Sequence, residues 1–170
     1  ANVLADAALR GGNIKLVSCF SRTAEKRASF MERYGTREAE SFEALLNDDE
    51  VEAVIVTTPN FNHMEHIEAI SAAGKHVYCQ KPIAHNLEHA KKIVEAVEKA
   101  GTRLAIGHSA RRLAVSRRLK ELIDSGEIGD ISMSESNFCT ERGLELNPDM
   151  WRSDAKLNPT GVAIQLSIHH

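Results

Sequence analysis

The feature of this sequence that most constrains its fold is the alternation of short apolar runs with amphipathic stretches. Runs rich in Val and Ile recur along the chain, and between them apolar residues recur at helical spacing. This alternation is typical of βαβ units, whose parallel strands are buried between helices. We therefore predict an α/β fold with a parallel sheet, and strands at residues 14–20, 51–57, 76–79 and 103–106.

Capping residues indicate where the helices begin and end. Ser, Thr and Asn side chains accept a hydrogen bond from the first turn of a helix, and Gly often follows the last turn. We expect Thr23, Ser41, Asn62 and Asn86 to begin helices over residues 24–34, 42–46, 63–73 and 87–100, with a further helix over 115–125. An alternating run at residues 131–138 predicts a strand beyond them. The helical pattern already present in the first residues predicts that sequence precedes Ala1.

Composition narrows the class of protein. A formal net charge of −3 and a pI near 6.3 argue against nucleic-acid binding, which needs a concentrated positive field. The cysteines, Cys19, Cys79 and Cys139, form no CxxC pair, so neither a disulfide framework nor a zinc site is indicated. No apolar run is long enough to cross a bilayer, and the first residues do not resemble a signal peptide. We expect a cytoplasmic globular protein without a membrane partner.

Ligands of an open parallel sheet bind beyond the carboxyl ends of its strands, so the residues after each strand are candidates. Ser21 and Arg22 follow the first strand, where NAD-specific proteins usually carry an acidic residue. A hydroxyl and a guanidinium suit the 2′-phosphate of NADP instead, because arginine donates several hydrogen bonds to phosphate oxygens. This pattern favours NADP over NAD. The alternative is that Ser21 caps the next helix and Arg22 is solvated.

Two polar segments follow the second and third strands. The first is Thr57-Thr58-Pro59-Asn60, and the second is Gln80-Lys81-Pro82. The proline restricts Lys81 to extended backbone and so holds its ammonium group at the sheet edge. Burial and nearby charge lower the pKa of such a lysine toward the range for proton exchange with a substrate hydroxyl. The alternative is a surface lysine before a loop proline.

These segments occur with others in an order that resembles a known family. Residues 54–82 hold Thr-Pro-Asn, a His three residues later, Ala-Gly-Lys-His-Val and Lys-Pro; then follow Gly107-His108 with Arg111, residues 126–129, Trp151-Arg152 and residues 161–169. The set resembles the glucose-fructose oxidoreductase, inositol dehydrogenase and rhizopine catabolism (Gfo/Idh/MocA) family. This resemblance implies a Rossmann-like, doubly wound dinucleotide-binding domain at 1–110, without its first strand and Gly-rich loop. It also implies the start of an α/β C-terminal domain with an open sheet at 111–170.

The resemblance implies roles for individual residues. Lys81 and His169 match the family's catalytic lysine and histidine, whereas Gln80 and Gln165 stand where the family has acidic residues. The cofactor would contact Ser21, Arg22, Thr57, Thr58, Pro59, Asn60, His63, Gln80 and Lys81. The substrate would contact His108, Arg111, Trp151, Arg152, Gln165 and His169.

The remaining histidines receive other interpretations. His63, at the start of a helix, either contacts the cofactor or is a plain helix-end histidine. His66, His85 and His89 lack the spacing of a metal site and are interpreted as solvated side chains.

The implied activity is hydride transfer between the nicotinamide of NADP, or of NAD, and a carbon bearing a hydroxyl or carbonyl group. The substrate would be a sugar, cyclitol or related small molecule, and the full-length protein is expected to be a homo-oligomer, either a dimer or a tetramer. An alternative is a non-catalytic sensor or scaffold that binds dinucleotide or sugar, because Gln80 and Gln165 replace acids. A further alternative is a structural domain whose sheet edge forms an oligomer.

Overall fold

The computed structural model describes residues 1–137, 147–159, 161–165 and 167. The helices within them are Asn2–Arg10 (α1), Ala24–Tyr34 (α2), Phe42–Leu46 (α3), His63–Ala72 (α4), Leu87–Ala100 (α5), Ala114–Asp124 (α6) and Val162–Gln165 (α7). The strands are Ser18–Cys19 (β1), Arg37–Glu38 (β2), Ala53–Val56 (β3), His76–Gln80 (β4) and Leu104–Gly107 (β5). Short 3₁₀ turns occupy Asn60–Asn62, Ser109–Arg112 and Trp151–Ser153.

All strand pairs are parallel, as the alternation of strands and helices predicted. β1 pairs with β2, and β3, β4 and β5 pair in chain order, with Cys79 of β4 between Val56 and Ile106. In a doubly wound sheet the strand order is 3-2-1-4-5-6, so one strand lies between the first pair and the later three. The observed order is the same with that central strand left out. The predicted Rossmann-like α/β fold is therefore confirmed.

The main core lies between the three-stranded sheet and the helices α4 and α5, which pack against each other. Its buried side chains come from one face of each element and include Ile67, Ile70, Val77, Cys79, Ile93 and Val97. Burial of branched apolar side chains is the main source of stability in such a layer. This layer fixes the loops that leave the carboxyl ends of β3, β4 and β5.

The predicted caps hold for some helices. The Ser41 hydroxyl accepts a hydrogen bond from the amide of Ala44 at 3.0 Å, and the Asn86 side chain accepts one from the amide of His89 at 2.8 Å. Thr23 occupies the N-cap position of α2, but its side chain makes no capping bond. Asn62 also makes none, because it lies in the 3₁₀ turn that precedes α4.

Several element predictions need correction. The strand predicted at 14–20 pairs only at Ser18–Cys19, because its partner β2 is equally short, and β2 itself was not predicted. The strand predicted at 131–138 is not present: residues 131–137 are exposed and have no regular structure, and Phe138 lies outside the described residues. Among the described helices, none has the length and apolar character that crossing a membrane requires.

Candidate functional site

The carboxyl ends of β3, β4 and β5 bring three predicted segments to one edge of the sheet. Thr57–Asn60 follows β3, Gln80 closes β4 and leads to Lys81 and Pro82, and His108 follows β5. Thr57 and Thr58 are exposed, so their hydroxyls are open to a ligand. This edge is where the sheet topology places a ligand.

The buried side chain of His63 contacts two of these segments, the one after β3 and the one after β4. Its ring is 1% exposed, with Nε2 2.9 Å from the carbonyl oxygen of Thr58 and Nδ1 2.9 Å from that of Pro82. The thiol of Cys79 lies 3.2 Å from Nδ1 and can donate to it when Nε2 carries the proton. Since the ring is enclosed in this way, it does not face a ligand. The geometry favours a structural histidine over the predicted cofactor contact.

Asn60, at the same edge of the sheet, has a buried side-chain amide whose hydrogen-bonding groups are unsatisfied. Its side chain is 3% exposed, yet neither Oδ1 nor Nδ2 has a hydrogen-bond partner among the described residues. A buried amide without partners costs free energy, so such groups in native proteins usually meet water or a ligand. With the exposed hydroxyls of Thr57 and Thr58 beside it, this segment offers donors and acceptors suited to the ribose and amide groups of a dinucleotide.

Lys81 lies half-buried at the centre of this edge. Its ammonium group donates to the backbone carbonyl of Gln165, in α7. Burial lowers the pKa of Lys81, and the nearby positive charge of Arg152 lowers it further. The structure thus brings together three residues predicted to surround the reaction, from segments more than 60 residues apart in sequence.

Gln80 holds the backbone before this lysine. Its Oε1 lies 3.3 Å from the amide nitrogen of Lys81 and accepts its hydrogen. Gly107 of β5 makes room for this side chain: a Cβ there would lie 2.6 Å from Gln80 Oε1 and 2.9 Å from the hydroxyl of Tyr78. Real Cβ atoms do not approach so closely, so a larger residue at position 107 would displace the ends of the Gln80 and Tyr78 side chains. Gly107 was predicted as part of a motif, but its contact with Gln80 was not.

A segment from the second half of the chain covers the lysine. Trp151 packs edge-on against Phe61 at 5.7 Å, and the Arg152 guanidinium lies 4.4 Å from the Trp151 ring centre. Asn158 is 5% exposed; its Nδ2 donates to the carbonyl of Arg152, and its Oδ1 accepts from the Gln165 side chain. Asn158 was missed at the sequence level, because a turn asparagine before proline gives no sign of burial.

The remaining predicted substrate residues are less closely held. His108 is half-buried and precedes the 3₁₀ turn that contains the exposed Arg111. His169, predicted to be catalytic, lies outside the described residues, as does Cys139.

The end of β1 forms a second polar region. Arg22 is exposed and makes no hydrogen bond with the described residues. Ser21 does not cap α2, whose N-cap is Thr23; instead its hydroxyl accepts from the Thr23 amide at 3.4 Å. The Arg22 guanidinium is therefore accessible to a ligand, and the half-buried Ser21 hydroxyl can still donate its hydrogen.

The pair His85 and His89 differs from its prediction. We expected solvated side chains, but both rings are half-buried and pack edge to face, with centres 4.5 Å apart. Burial lowers the pKa of His85, and the neighbouring His89 lowers it further. Among the described residues, no three His, Cys, Asp or Glu side chains converge as metal ligands.

Comparison with known proteins identifies the family. The profile described as the oxidoreductase family with NAD-binding Rossmann fold matches residues 2–108, and that of the GFO/IDH/MocA C-terminal domain matches residues 116–170. Glucose-6-phosphate 3-dehydrogenase of Bacillus subtilis is 33% identical over 92% of this chain and 45% of its own length. 1,5-Anhydro-D-fructose reductase of Ensifer adhaerens is 33% identical over 95% of this chain and 48% of its own length.

Solved structures agree with this assignment. The crystal structure of a candidate NADPH-dependent oxidoreductase from Desulfitobacterium hafniense superposes with a TM-score of 0.93 at 43% identity, covering 99% of this chain and 49% of the other. The chain thus spans about half the length of the relatives it matches. Together with the parallel sheet and the lysine at its carboxyl edge, these matches show that the chain belongs to the Gfo/Idh/MocA oxidoreductase family.

Proposed function

We propose that the full-length protein is an NAD(P)-dependent oxidoreductase acting on a hydroxyl or carbonyl carbon of a sugar, cyclitol or related small molecule. The observation that carries this proposal is the half-buried ammonium group of Lys81, with a lowered pKa, at the carboxyl edge of the sheet. The named relatives support it, because glucose-6-phosphate 3-dehydrogenase and inositol 2-dehydrogenase 3 act on such compounds by name. These names favour an enzyme over a non-catalytic sensor of the same fold.

The nicotinamide of the bound cofactor would accept or supply the hydride. On the protein side, Lys81 would hold the reacting oxygen and exchange its proton, because its ammonium group loses a proton more readily when partly desolvated. Arg152 and Trp151 would line the substrate side, since the charge of Arg152 acts on Lys81 and the guanidinium of Arg152 lies against the Trp151 ring. His169 would be the partner acid or base, a role that rests on the family resemblance.

The cofactor would lie along the carboxyl edge, with Asn60 and the Thr57 and Thr58 hydroxyls as its hydrogen-bonding partners. Ser21 and Arg22 at the end of β1 would bind the 2′-phosphate of NADP, because this region offers a free guanidinium. We propose domains at 1–110 and 111–170, and a homo-oligomer for the full-length protein located in the cytoplasm.

Replacing Lys81 with Met in the full-length protein tests the catalytic role. Turnover is measured with NADP or NAD and a panel of sugars, cyclitols and dihydrodiols, and the Kd for NADPH is measured separately. We expect turnover to fall at least about a hundredfold, as for loss of a general acid–base group, while the Kd changes little. Lys91→Met, at an exposed position of α5, is the matched control. Full turnover in Lys81→Met would overturn the assignment.

Replacing Arg22 with Ala tests the cofactor preference. We expect the Kd for NADPH to rise about tenfold and that for NADH to stay unchanged, because only NADPH carries the phosphate. Arg10→Ala, which removes an exposed arginine at the end of α1, is the control. Equal NADPH and NADH affinities in the parent protein would refute the preference.

A further inference from the structure

His66, in the first turn of α4, lies close enough to Arg22 in the loop after β1 for the two charges to interact. Its ring packs on Phe42 with centres 5.1 Å apart, and Phe42 packs on Phe20 at 6.2 Å. Phe20 directly precedes Ser21 and Arg22 in the loop after β1. This row of rings connects His66 to the loop after β1, in agreement with the electrostatic interaction between His66 and Arg22.

The hydrogen bonding of His66 leaves one ring nitrogen available. Nδ1 lies 3.1 Å from the hydroxyl of Thr58, and Nε2 has no hydrogen-bonding partner among the described residues. A hydroxyl can either donate to Nδ1 or accept from it, so Thr58 serves both the neutral and the protonated ring. Nε2 can carry a hydrogen in each state, but only the protonated ring adds the positive charge that makes its hydrogen bond to an anion strong.

We propose that His66 is a second ligand of the NADP 2′-phosphate, together with Arg22, and that it makes the preference for NADP over NAD depend on pH. This inference rests on the proposed dinucleotide function and on the phosphate site at the end of β1. It adds a residue that determines cofactor specificity and lies outside the loop usually associated with that role.

The charges around His66 set the direction of the effect. Burial lowers the pKa of His66; Glu65 opposes this change, whereas His63 and Arg22 reinforce it. Without ligand the ring is thus neutral near pH 7. A bound 2′-phosphate brings negative charge and raises the pKa of the ring, so NADPH binding takes up a proton. Affinity for NADPH gained through His66 therefore increases as the pH falls.

The test compares the full-length parent with His66→Gln, whose amide can still bond Thr58. The Kd values for NADPH and NADH are measured between pH 6 and 8.5. We expect His66→Gln to weaken NADPH binding about fivefold at pH 6 and hardly at all at pH 8.5, with NADH unaffected throughout. The titration of the phosphate itself is common to both proteins and cancels in their ratio. His76→Gln, an exposed histidine at the start of β4, is the control.

A measurement on the parent protein alone complements the variant. NMR titration of His66 should show a higher pKa with NADPH than with NADH. The role of His66 would be overturned by an equal pKa with both cofactors, or by a ratio of the His66→Gln and parent Kd values for NADPH that does not change with pH. In that case, a preference of the parent protein for NADPH would still support the Arg22 site. A parent without any preference for NADPH would overturn both.

Discussion

Replacing His63 with Ala is expected to destabilise the full-length protein by about 3–5 kcal/mol. The ring is 1% exposed, so its removal leaves a cavity in the core below the site. The carbonyl oxygens of Thr58 and Pro82 each lie 2.9 Å from a ring nitrogen, and whichever of them accepts the single N–H of the neutral ring would lose its donor. An unmet buried acceptor costs about 1–3 kcal/mol, and the lost ring volume contributes the rest.

The effect is measured by urea unfolding followed by far-UV circular dichroism. His63→Phe separates its two causes, because it keeps most of the ring volume but removes both polar contacts; we expect a loss of about 2 kcal/mol for it. Lys91→Ala, at an exposed position of α5, should change the free energy of unfolding by less than about 0.5 kcal/mol. A His63→Phe protein as stable as the parent would refute the reasoning that the ring holds the two loops through its nitrogens.

Three further predictions concern other parts of the fold. Burial raises the pKa of Cys79 to about 12, so mass spectrometry should find it unmodified by iodoacetamide at pH 8 in the native protein but modified in urea, whereas the half-buried Cys19 reacts in both. Asn86→Ala should lower the free energy of unfolding by about 1 kcal/mol and Thr23→Ala by much less, because only Asn86 makes a capping bond. The pKa of His85 is lower in the folded protein than in the unfolded chain, so protonation of His85 favours unfolding. The stability that the neutral ring provides is present above the pKa of the unfolded chain and is lost as the pH falls. The His85→Gln protein should therefore lose less thermal stability between pH 7 and 5 than the parent protein does.

The parallel sheet could be predicted because its information is local. Each strand from β3 to β5 is a short apolar run followed by a helix with its own capping or stop residue. The extent of β1 could not be predicted, because pairing requires a partner and the partner is Arg37–Glu38. Both of these residues are charged and exposed, so neither alternation nor hydrophobicity marks them as a strand.

The position of Lys81 could be predicted for the same reason, since a residue after a strand in a parallel sheet lies at the ligand edge. The residues that surround Lys81 could not be predicted, because their contacts join residues that are distant in sequence. The carbonyl of Gln165 accepts from the lysine, and Asn158 in turn accepts from the Gln165 side chain, both in the second half of the chain. Likewise, the burial of His63 follows from carbonyl groups in two different loops, neither of which carries a recognisable motif for it.

The two glutamines that replace acidic residues acquire a different meaning in the structure. At the sequence level, Gln80 and Gln165 were interpreted as losses that weaken the catalytic assignment. In the fold, Gln80 accepts from the backbone of Lys81, and the carbonyl of Gln165 accepts from its ammonium group. Neither glutamine side chain carries a charge, whereas a carboxylate near the ammonium group would stabilise the charged lysine and raise its pKa. Because burial and, to a smaller extent, the positive charge of Arg152 disfavour the ammonium form, the environment favours proton release from Lys81. The substitutions are thus compatible with a lysine that releases its proton more readily than a fully solvated lysine does.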